Sequence, residues 1–134
     1  MKMKLYSRRI FVAILITLFP TAIALAHHSV ASGFDMSKEI IVSGTVKSIE
    51  WINPHARIFL DVTNVENESE VWTAWLSGAN MLLRRGWGSN DLPIGQLITV
   101  DGFRARDGSS EMYGGKIRLL DGRTLFSGVP SDER

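Results

Sequence analysis

From Ile40 to Phe126 the chain is cut into short runs of alternating apolar and polar residues, each closed by a turn signal. That period of two confines it to a small all-β architecture. Ile40, Val42, Gly44 and Val46 alternate with Ile41, Ser43, Thr45 and Lys47, predicting a first strand over Ile40–Trp51. Gly44 in its middle predicts a bulge or sharp bend. Asn53-Pro54-His55 is a turn signal, because asparagine suits turn entry and proline fixes φ. A second strand follows over Arg57–Asn64, with Ile58, Leu60 and Val62 on one face, and the polar run Glu66–Glu70 reads as a solvated hairpin loop. The third strand, Val71–Leu76, is apolar on both faces, as suits a central position.

One break in the period interrupts the strands. Ser77 is a cap signal, Ala79, Leu82 and Leu83 fall at helical spacing, and Gly86 follows Arg84 and Arg85 as a stop, so a short helix is predicted over Gly78–Arg85. After the turn Leu92–Gln96, a fourth strand runs over Leu97–Arg106, Asp107-Gly108 turns, and a fifth covers Met112–Leu120. Asp121-Gly122 leads to a last short strand at Thr124–Phe126, and a polar tail occupies 128–134. Five or six strands with a helix between the third and fourth predict an OB-like Greek-key β-barrel, with a small β-sandwich as the alternative. There is no cysteine, so packing alone must hold the domain, and Trp51, Trp72, Trp75 and Trp87 are first read as its filling.

Ahead of this domain stands a leader. Lys2, Lys4, Arg8 and Arg9 precede an uncharged stretch from Ile10 to Ala26, and Ala24 and Ala26 form the small-x-small pattern that signal peptidase accepts. The expectation is a cleaved signal peptide over 1–26 and one domain over 27–134, with 27–39 as a lead-in crossing the surface and tucking Phe34 into the core. The compartment expected is the periplasm, with release outside the cell as the alternative. Losing the leader's four basic residues leaves 11 basic against 14 acidic residues, a net charge of −3. Such a domain has no field to gather nucleic acid or anionic lipid.

Several of these stretches in series, Ala26-His27-His28-Ser29, Gly44-Thr45-Val46, Trp51-Ile52-Asn53-Pro54-His55, Arg84-Arg85-Gly86-Trp87 and Arg104-Ala105-Arg106-Asp107-Gly108-Ser109, resemble a family of small exported bacterial proteins known as domain of unknown function 6152. The resemblance covers essentially the whole mature chain. It implies an exported single-domain protein and brings no activity with it.

The three histidines carry the sharpest chemistry. Cleavage after Ala26 makes His27 the terminal residue, whose amine and ring nitrogen can chelate a metal, with His55 as a third nitrogen. Alternatively His28, at position two, binds Cu(II) with the amine and the intervening amide. Nitrogen donors of this kind favour Cu(II). The plainer reading is an incidental His-His terminus and a His55 ring bonded to its own turn. A second candidate surface gathers Arg57, Arg104, Arg106 and Trp51 to take an acidic group of a small ligand or of an envelope protein; its counterpart is that the tryptophans are core and the arginines pair across the sheet. Neither the serines nor Asp61 and Asp101 sit in a nucleophile motif, so the chain leans towards a non-enzymatic binding module.

Overall fold

The computed structural model describes residues 32–128. The leader with Ala24 and Ala26, the terminal pair His27 and His28, and residues 129–134 lie outside that range. The described elements are β1 (Phe34–Glu50), β2 (Arg57–Thr63), β3 (Ser69–Trp75), the helix α1 (Ala79–Arg84), a 3-10 turn (Ser89–Asp91), β4 (Leu97–Ala105), β5 (Glu111–Leu119) and β6 (Thr124–Phe126).

Strand pairing closes a ring. The sheet runs β3-β2-β1-β4-β5-β6, and β3 also pairs with β5 in parallel through Thr73–Glu111, Ala74–Met112 and Trp75–Tyr113. The order β1-β2-β3-β5-β4 therefore returns to β1, giving a barrel-like, all-β Greek key with one short helix between β3 and β4, the OB-like arrangement expected. β1 makes closure possible because it is long enough to serve two neighbours. Residues up to Thr45 pair with β4, and those from Thr45 onward pair with β2.

β1 begins six residues earlier than its hydrophobicity suggests. The stretch Asp35–Glu39, expected as a surface lead-in, belongs to the strand, spanning a register shift between the pairs Phe34–Ala105 and Glu39–Phe103. Phe34 is buried and its ring stacks on Tyr113, 5.5 Å between centroids. Nor does the expected bulge fall at Gly44; the register shifts between Val46 and Ser48. Gly44 is needed for a different reason. A Cβ there would lie 2.8 Å from Val62 Cγ2 and 2.9 Å from the Asp61 carbonyl oxygen.

Inside the ring, the alternation read in β2 turns Ile58 and Leu60 onto Val46, Ile98, Val100, Met112 and Ile117. The third strand, expected to be apolar on both faces, turns Ala74 and the following Leu76 onto the same residues, while Val71 is exposed. Each large aliphatic buried this way contributes about 1.5–3 kcal/mol. Leu82 of α1, Trp87 and Leu92 join the same core. Ser77 is not the cap of α1. The cap position is Gly78, and the Ser77 amide instead donates to the Ser127 hydroxyl at 2.9 Å. Among the described residues no helix is long and apolar enough to cross a membrane.

Candidate functional site

His55 sits on the turn between β1 and β2, half-buried, where that turn docks on the end of β3 and the start of α1. The docking is made of backbone: the Leu76 amide donates to the Ala56 carbonyl at 2.9 Å, Ala56 to Ser77 at 3.2 Å, and Ala79 to Ile52 at 3.1 Å. Asn53, whose peptide bond to Pro54 is cis, extends Oδ1 to accept the Asn80 amide at 3.2 Å. It thus satisfies one of the amides that a helix start leaves open. The sequence conceals this cap, because it arrives from 27 residues upstream instead of from the local capping position.

The His55 ring is fixed in the same junction, with Nδ1 3.0 Å from the Leu76 carbonyl oxygen. A carbonyl can only accept, so Nδ1 carries the proton. In the uncharged form of the ring this tautomer leaves the lone pair on Nε2. Imidazole of this kind suits copper or zinc. Among the described residues no group of three or more His, Asp or Glu side chains is placed to hold a metal. Within the described residues His55 is thus a lone imidazole with Nε2 left over from its backbone bond.

The three arginines do not share a face. Arg57 pairs with Trp75 in register, on the outside of the ring. Its guanidinium lies 5.0 Å from the Trp75 ring centroid and 5.9 Å from that of Phe59, and it pairs with Glu50. Trp75 Nε1 donates to Glu111 at 2.8 Å. The Arg57 charge is thereby matched, and its flat surface is occupied by aromatic rings.

Arg104 stands on the other side of the sheet, since it pairs with the core residue Met112. Its guanidinium stacks on Trp72 at 5.2 Å and donates to the Gly108 carbonyl at 3.1 Å. Trp72 Nε1 donates to Glu70 at 3.0 Å. The Ser110 hydroxyl and the Trp72 indole, with a smaller pull from Arg104, hold the Glu70 carboxyl below its ordinary value. Arg106 lies beyond the end of β4, where alternation has stopped. Its amide donates to the Gly33 carbonyl at 2.9 Å, and its charge helps to hold Asp35 low, behind the hydroxyl and amide of Ser37. Trp51 belongs to neither arginine; it packs against the core with its ring edge-to-face on Trp87. Glu50 and Glu111 meet Arg57 and Trp75 across strands, which no local spacing reveals, whereas Glu70 reaches Trp72 two residues along the same strand.

No curated protein and no solved structure matches the chain. The match that exists is to a family model described as a family of unknown function (DUF6152), over residues 16–114. That span is well over half of the sequence, and the chain belongs to this family.

Proposed function

We propose that this is an exported, non-enzymatic binding protein of the periplasm that holds Cu(II) at the terminus of its mature chain. His27 supplies the terminal amine and its ring nitrogen, and His55 supplies the third nitrogen; His28 is the competing donor. The observation that supports this reading is the bond from His55 Nδ1 to the Leu76 carbonyl, which leaves Nε2 as the ring's donor atom. The separation of Arg57 from Arg104 weighs against the alternative, a single arginine face gripping an acidic partner.

A Cu(II) titration of the secreted, signal-cleaved protein, followed by electron paramagnetic resonance with intact mass on the same sample, tests it. The expected result is one copper per chain with a nitrogen-rich spectrum, disturbed by a methionine added ahead of His27 and by His55→Ala. A mature terminus elsewhere than His27, or a spectrum indifferent to His55→Ala, overturns it.

A further inference from the structure

We propose that Asn53, Gly78 and the Leu76 carbonyl are positioning groups that preset His55 as an Nε2 metal ligand before any metal arrives. Its use by copper rests on the function proposed above; its geometry does not.

The His55 turn is attached to residues 76–80 at five points. These are the three backbone bonds between 52–56 and 76–79, the Asn53 Oδ1 cap on Asn80, and the His55 ring bond itself. A turn held so densely cannot swing, and a ring bonded through Nδ1 cannot exchange tautomers without losing that bond. Gly78 is the residue that admits the turn. A Cβ there would lie 2.6 Å from Asn53 Oδ1 and 2.6 Å from the Pro54 carbonyl oxygen. One of those atoms is backbone and the other is fixed by its cap on Asn80, so the turn itself would have to lift away. With it would go the register of His55 against Leu76. The strand end, the helix start and the turn are thus one assembly whose outermost product is an oriented imidazole. Groups that orient a ligand in this way commonly alter metal affinity 10–100-fold when removed.

The test reads the ring directly. In ¹⁵N-histidine-labelled, metal-free, signal-cleaved protein at a pH where the ring is neutral, His55 should show a protonated Nδ1 and a bare Nε2. Asn53→Ala and Gly78→Ala should return the ring towards the Nε2–H form and weaken Cu(II) binding about tenfold or more. Asn53→Asp, which keeps an oxygen for the Asn80 amide, should restore both. An Nε2–H ring in the wild-type protein overturns the proposal, as does an unchanged tautomer in folded Asn53→Ala and Gly78→Ala. A preset tautomer whose Nε2 signal ignores added Cu(II) upholds the positioning and sinks the copper function alone.

Discussion

The rings of Trp51 and Trp87 meet edge to face, with centroids 5.5 Å apart and planes at 64°, and Trp87 Nε1 donates to the Phe126 carbonyl at 3.0 Å. Through this one indole, the end of β1, the segment after α1 and the edge strand β6 are tied together. Trp87→Phe keeps a ring for Trp51 but loses the bond, and should cost about 1 kcal/mol. Trp87→Ala removes both and should cost about 3–5 kcal/mol. Urea unfolding of the two variants separates the contributions.

Gly44→Ala should be among the costliest single-methyl additions in the chain. The added carbon meets Val62 and the Asp61 backbone, so β1 and β2 must part locally. A loss of about 1–3 kcal/mol is expected by chemical denaturation. Gly108→Ala meets nothing within 4 Å and carries only the penalty of a positive φ, so it should cost about 1 kcal/mol.

Stacking of Arg57 on Trp75 should appear as a coupling energy. A double-mutant cycle with Arg57→Ala and Trp75→Leu is expected to give about 0.5–2 kcal/mol of favourable interaction. Arg57→Lys, which keeps the charge for Glu50 but not the planar surface, should recover only part of it. A coupling of zero would mean the two side chains merely share space.

Asp91 gives stability a pH dependence with a definite sign. The Gly88 amide, and after it Arg123, holds its carboxyl below the ordinary value. A depressed carboxylate pKa stabilises the folded state above the unfolded value, about 3.9, and that contribution fades as pH falls through the folded value. The difference in Tm between wild type and Asp91→Ala should therefore be widest near neutrality and shrink below about pH 4. A gap that widens on acidification would contradict the assignment.

Alternation was legible wherever one face is core. Ile58 and Leu60, or Ile98 and Val100, announce their strands without help. The first residues of β1 do not, because Asp35, Ser37, Lys38 and Glu39 are polar and lie in or beside a register shift, and that stretch is bracketed by the β4 pairs of Phe34 and Glu39. The same limit hid the helix cap. Ser77 is the local residue of the right type, yet Asn53 does the capping, and no spacing rule reaches across 27 residues. For the candidate site, the sequence placed His55 on a turn and offered a ring bonded to that turn, but the ring is bonded to the carbonyl of Leu76, 21 residues away at a strand end. It also placed Arg57 with Arg104, which the two faces of the sheet keep apart. Period two assigns a face only within one strand, and it fails at Arg106, where β4 has ended.

A ring closed by its first strand has a kinetic consequence. Ser43 of β1 touches Thr99 of β4 at 2.9 Å, 56 residues further along the chain. The residues of β1 up to Thr45, which pair with β4, therefore have no neighbour until most of the polypeptide exists and has doubled back. Folds dominated by such distant pairings form in milliseconds to seconds, where local ones take microseconds. Whatever handles this chain in that interval meets an open strand edge, and the length of the wait is set by the order of the strands.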